Sequence, residues 1–135
     1  PRLCSSAASD VYKRQEIDGI SLDTSSSVVK EIKGQPNSIK TNSLGLIEID
    51  FGLYVYRFDK GDSLHEVTLK APSIKLAGTS VSFEQLEKYV KQTDNNWFDK
   101  YGFIVSPKFG IAFDPEHSPF LTVLTKLGLQ GWKDV

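Results

Sequence analysis

Residues 45–55, GLIEIDFGLYV, and residues 102–113, GFIVSPKFGIAF, decide the fold. Both open on Gly-apolar-Ile and lead, after a few residues, to Phe-Gly-apolar-x-apolar. The second carries one extra residue before its Phe-Gly. Each is followed by a third apolar segment ending in lysine, Leu64 to Lys70 and Phe120 to Lys126. Self-similarity at a fixed spacing marks a duplicated supersecondary unit. The period is about 57 residues, the step from Gly45 to Gly102.

The alternation inside these runs is that of strands. Ile47, Ile49 and Phe51 alternate with Leu46, Glu48 and Asp50, and Tyr54, Tyr56 and Phe58 alternate with Leu53, Val55 and Arg57. A period of two places one set on each face of a sheet. Gly52 and Gly110 fall between runs, where glycine supplies a turn or bulge. Asp59-Lys60-Gly61-Asp62 reads as a hairpin tip, and Asp114–Pro119 as its longer counterpart. Pro72 closes the first meander, and Ser73 to Leu76 reads as a link to Gly78.

A helix is expected upstream of each meander. Thr24 or Ser25 caps the first, Val28, Val29 and Ile32 form its apolar face, and Gly34 and Pro36 stop it. In the second, Ser82 and Gln85 have the spacing of a capping box. Phe83, Leu86, Tyr89 and Val90 form its buried stripe, and Lys88 and Lys91 suit the negative end of the helix. The expected fold is therefore α+β. Two helix-plus-three-strand repeats, about 17–72 and 76–127, form a mostly antiparallel sheet with helices on one face.

Residues 5–15, SSAASDVYKRQ, match an in-frame translation of the read-one adapter used in transposase-based sequencing libraries. Residues 1–15 are accordingly read as adapter-derived, expected to lack specific packing, and set aside from fold reasoning. They contain three basic residues and one acidic residue, so without them the formal net charge moves from −1 to −3. The remaining span, 16–135, has the length of one domain. It contains no cysteine, since Cys4 is the only one in the chain. That excludes disulfides, thiol nucleophiles and thiolate metal sites from it. The cysteine usage suits the cytoplasm, the compartment slightly favoured, without excluding the periplasm. Basic residues are dispersed rather than clustered, which argues against a nucleic-acid partner. No apolar run approaches the roughly 20 residues of a membrane span.

Catalytic and metal motifs are sparse. His65 and His117 stand in no metal-binding pattern, and the local ligands of Asp114-Pro115-Glu116-His117 do not converge on a point. Asp59, Asp62 and Glu66 cluster at the first hairpin tip, where solvent is expected to keep them ordinary. There is no Gly-x-Ser-x-Gly elbow, phosphate loop or dinucleotide fingerprint. No enzyme activity, metal or cofactor is expected. Aromatics are the remaining signal. Tyr54, Tyr56 and Arg57 share a strand, Trp97 lies after the second helix, and these residue types dominate protein interfaces. Tyr54, Tyr56, Arg57 and Trp97 are the expected binding residues, on the sheet face that helices leave free.

Gly19-Ile20-Ser21-Leu22, a short helix, and then Gly34-Gln35-Pro36 resemble the start and stop of the SmpA-type small lipoproteins. The tandem arrangement is similar to the beta-lactamase inhibitor protein architecture. The second unit has Thr93-Asp94-Asn95-Asn96 where the Gly-x-Pro stop would stand. The resemblance implies a binding protein rather than a particular set of contact residues. The expected function is non-catalytic binding of a protein partner, as an immunity or inhibitor protein that neutralises a bacterial toxin or enzyme. An envelope lipoprotein or assembly factor, and a small ligand-binding domain or enzyme, stand as alternatives.

Overall fold

The computed structural model describes residues 16–17 and 20–135, with side chains from Ser21 onward. The expectation for residues 1–15 therefore lies outside the described residues. The elements in chain order are β1 (Glu16–Ile17), β2 (Ile20–Ser21), α1 (Ser26–Lys33), β3 (Ser38–Thr41), β4 (Ile47–Asp50), β5 (Tyr54–Phe58), β6 (Leu64–Lys70), β7 (Ser73–Leu76) and β8 (Thr79–Ser82). Then follow α2 (Phe83–Thr93), β9 (Phe98–Lys100), β10 (Phe103–Ser106), β11 (Ile111–Phe113), β12 (Phe120–Leu124) and α3 (Lys126–Asp134).

The main sheet has eight antiparallel strands in the order β3-β4-β5-β6-β12-β11-β10-β9. Two four-stranded meanders meet where β6 pairs with β12, Val67 opposite Val123. Two small hairpins, β1-β2 and β7-β8, stand apart from it. The expected pair of helix-plus-three-strand repeats is thus incorrect. The dominant feature is one large sheet with short helices around it, and the physical reasons are local. The strands of the main sheet that were missed are β3, whose four residues SIKT are all exposed, and β9, which is only three residues long. Both lie at edges, where little apolar surface is required. Ser73–Leu76, read as a link, is instead a strand. It turns through Ala77 and Gly78, both at positive φ, and returns as β8.

Helices lie on both faces, not one. Cross-strand register places Ile49, Tyr56, Val67, Val123 and Ile111 in one row on the first face. These join the main core with Val29 of α1 and Phe83, Leu86 and Val90 of α2. Full burial of each such aliphatic side chain contributes roughly 1.5–3 kcal/mol. Tyr56 stacks beside Phe58 with ring centroids 6.5 Å apart, and Phe83 meets Phe113 edge-on at 5.8 Å. On the opposite face, Val105, Ala112 and Leu124 form a smaller core with Phe98, Phe103, Leu129 and Trp132, the last two from α3.

The helix ends depart from expectation in detail. Ser25 does cap α1, its hydroxyl accepting from the Val28 N–H. Asp62, at the β5–β6 tip, supports the same terminus by accepting from the Ser26 N–H at 3.1 Å. Only Val29 of the three apolar α1 positions is buried, while Val28 and Ile32 are exposed. Ser82 precedes α2 but makes no side-chain capping bond, so the expected capping box does not form. Among the described residues, no helix is long and apolar enough to cross a membrane.

Candidate functional site: a cleft beside the third helix

The site is made by the way α3 docks. Between Arg57 and Phe58 the β5–β6 register slips, leaving His65 as an extra residue in β6. A bulge of this kind releases a backbone group from the ladder. Here the His65 carbonyl accepts from the Thr125 N–H and hydroxyl, both at 3.0 Å. The Thr125 hydroxyl in turn accepts from the Gly128 N–H at 3.1 Å, capping α3. At the far end, the Lys100 ammonium donates to the carbonyls of Trp132 and Lys133 at 2.8 and 2.9 Å, and to that of Val135. A cation there suits the negative pole of the helix.

Fixed at both ends, α3 starts against β6 at the meander junction and runs over the second meander to Lys100 of β9. The strand face it leaves open carries a row of alternating charge across β3 to β6, namely Lys40, Glu48, Arg57 and Glu66. Arg57 is the centre. Its Nε donates to Glu48 at 2.7 Å, and its Nη1 donates to Glu66 at 3.1 Å and to Thr68 at 2.7 Å. Thr68 pairs with Thr122 across the meander junction at 2.8 Å. The indole N–H of Trp132 donates to the other oxygen of Glu66 at 3.2 Å. The side chains of Arg57, Glu48 and Glu66 are 19%, 15% and 14% exposed, so this is a half-buried network rather than a surface ion pair. Burial lifts the Glu66 carboxyl above its ordinary value of 4.5, against the opposing pull of the Arg57 guanidinium and the Trp132 hydrogen bond.

Above this network lies a cleft of about 460 Å³. Arg57, Glu66, Thr68 and Thr122 form its floor. Its walls are aromatic: Phe103 and Trp132, whose ring centroids are 5.1 Å apart, and Phe120, which is 45% exposed. The Asp114–Ser118 loop forms the rim, where the His117 Nδ1 lies 2.8 Å from the Asp114 carboxylate. A second depression, about 760 Å³, lies against Trp132 and Glu66 and is bordered by Leu44, Leu46 and Tyr101.

The structure splits the expected binding set. Tyr54 and Tyr56 are 5% and 0% exposed and point into the main core, so they are not surface residues. Arg57, one residue on, necessarily faces the other way and is the only one of the four in the cleft floor. Trp97 packs against the main core with the Lys91 ammonium 4.7 Å above its ring. Nor is Glu66 an ordinary tip carboxylate. It sits inside β6, whereas Asp59 and Asp62 belong to the turn. The Ser63 N–H is the main cause holding Asp59 below its usual 3.8. Among the described residues, no three His, Cys, Asp or Glu side chains group to hold a metal ion.

Phe103, Phe120, Thr68, Thr122 and Trp132 were missing from the expected site. Thr68 and Thr122 stand at different places in the two third segments and meet only because β6 and β12 pair antiparallel. Trp132 became relevant only because α3 folds back over the sheet. No protein-family model, curated protein or solved structure matches this chain.

Proposed function

We propose that this chain is a non-catalytic protein-binding domain that neutralises a partner enzyme or toxin, engaging it through the open half-face of the sheet and the cleft beside α3. One observation carries this reading. The cleft combines aromatic walls, Phe120 exposed and Phe103 and Trp132 part-buried, with a floor whose polar groups already satisfy one another. Aromatic residues and arginine are the types that anchor interfaces. Side chains held in place before binding reduce the ordering cost of association. Arg57 and Trp132 hold both oxygens of Glu66, which favours a fixed recognition surface over a carboxylate free to exchange protons with substrate.

The test is co-expression with the products of the reading frames that flank its gene. The expected result is that one flanking product is toxic or enzymatically active alone, is silenced when this chain is present, and co-elutes with it. Normal activity of every flanking product in the presence of this chain, with no complex, contradicts the proposal.

A further inference from the structure

The cleft is more specific than a generic contact surface. Its lining carries one guanidinium, Arg57, and three carboxylates, Glu66, Asp114 and Glu116, beside the His117 ring. Glu48, just outside the lining, supplies a further carboxylate to Arg57 at 2.7 Å. The guanidinium is therefore neutralised from within, and with Lys70 counted four carboxylates still outnumber two cations, leaving a negative field above the floor. Around that field stand Phe103, Trp132 and Phe120. Aromatic faces attract cations, and a desolvated site strengthens the attraction. Lys70 already places its ammonium 5.7 Å from the Phe120 centroid on the same sheet face. The volume falls within the roughly 300–1,000 Å³ of ligand sites and leaves room for a whole side chain.

We infer that this cleft receives an arginine side chain of the protein partner, its guanidinium stacked between Phe120 and the Phe103–Trp132 pair and paired with the rim carboxylates Asp114 and Glu116. Arginine is favoured over lysine because its planar, weakly hydrated head stacks on rings and engages carboxylates through two N–H groups at once. The inference rests on the proposed protein-binding role and names the chemistry of its central contact.

The test uses the full chain and needs no partner. Nα-acetyl-arginine amide is titrated while the Trp132 indole N–H is followed by nitrogen-15 NMR, with Trp97 as internal control. The expected result is a saturable shift at Trp132 and none at Trp97. Nα-acetyl-citrulline amide, which is neutral and of nearly the same shape, produces no saturable shift. Glu116→Gln weakens the arginine response roughly threefold, the size expected of one exposed ion pair. Phe120→Leu weakens it further without altering the melting curve. Equal responses to arginine and citrulline, or no response at Trp132, overturn the inference. An equal response to Nα-acetyl-lysine amide overturns the choice of arginine.

A competition arm separates this inference from the role it rests on. A flanking product that binds this chain, and is not displaced by saturating arginine amide, leaves the binding role standing and removes the arginine contact. A Trp132 shift with no binding by any flanking product does the reverse.

Discussion

Gly128 lies so close to β6 that a Cβ on it would sit 1.9 Å from the carbonyl oxygen of His65. No heavy-atom contact survives at that distance, and the obstacle is backbone, which cannot swing aside. The bulge at His65 turns that carbonyl toward α3, and the glycine lets the helix settle onto it. Everything that makes the cleft follows from this approach, because it sets where Trp132 meets Glu66.

Gly128→Ala is therefore expected to destabilise the protein by about 3 kcal/mol, at the upper end of overpacking costs. The emission of Trp132 should shift to the red as α3 lifts. Gly131→Ala is its control. The Cβ there would come no nearer than 4.0 Å to the His65 ring, an ordinary contact. A glycine-to-alanine change inside a helix gains up to about 1 kcal/mol of propensity, so Gly131→Ala should be neutral or stabilising. Urea unfolding of both variants checks the pair.

Asp94 offers a second test, away from the cleft. It is 1% exposed and follows the last turn of α2. Its carboxylate accepts from the Ser106 hydroxyl at 2.7 Å, the Lys108 N–H at 3.1 Å and the Asn96 N–H at 2.8 Å. This joins α2 to the turn between β10 and β11. Asp94→Ala strands donors in the interior and is expected to cost about 3 kcal/mol. Ser106→Ala, which removes one donor and leaves the carboxylate its other partners, should cost about 1 kcal/mol. Equal losses for the two variants would contradict this account of the carboxylate as the hub.

Glu66 gives stability a distinctive pH dependence. Burial raises its carboxyl pKa, so the folded state holds that proton more tightly than the unfolded chain. The associated stability is fully present below about 4.5 and is lost as pH rises through the higher folded value. Measured against Glu66→Gln, the stability advantage of the natural chain should fall with rising pH across that interval and level off above it. Asp59 has the opposite sign. Held below 3.8 chiefly by the Ser63 N–H, it contributes above that value and loses its contribution as pH falls through the folded one. Denaturant midpoints at a series of pH values separate the two carboxylates. An advantage that grows with pH in the Glu66→Gln comparison would contradict the buried setting assigned to Glu66.

Phe120→Ala separates binding from stability. The side chain is 45% exposed and lies outside both cores. Its removal should change stability by no more than about 0.5 kcal/mol, as for other surface sites. Partner affinity should nevertheless drop at least tenfold if the ring is a true anchor. Unfolding and calorimetric binding measured on the same sample decide this.

The strands rich in buried apolar residues were legible in the sequence. β4, β5, β6, β10, β11 and β12 each bury apolar residues on at least one face, and that requirement writes itself into the chain. β3 and β9 were not legible, because an edge strand needs hydrogen bonds from its neighbour but little apolar surface. The helix α3 was hidden for a different reason. Gly128 and Gly131 lower helix propensity, and the need for Gly128 becomes visible only once His65 is placed against it. The site followed the same logic. Arg57 could be read as a surface residue, but its strand neighbours Tyr54 and Tyr56 were assigned to the same surface. Alternation in fact sends both tyrosines into the core, where they pack with Phe51, Phe58 and α1.

The most direct test of the central claim is calorimetric binding of the neutralised flanking product to three forms of this chain. These are the natural sequence, Glu116→Lys on the cleft rim, and Lys75→Glu on the outer side of the β7-β8 hairpin. The account predicts that Glu116→Lys weakens binding at least tenfold and that Lys75→Glu leaves it unchanged. Loss of binding with Lys75→Glu and none with Glu116→Lys would contradict it, and would move the interface to the side of the sheet that carries α1 and α2.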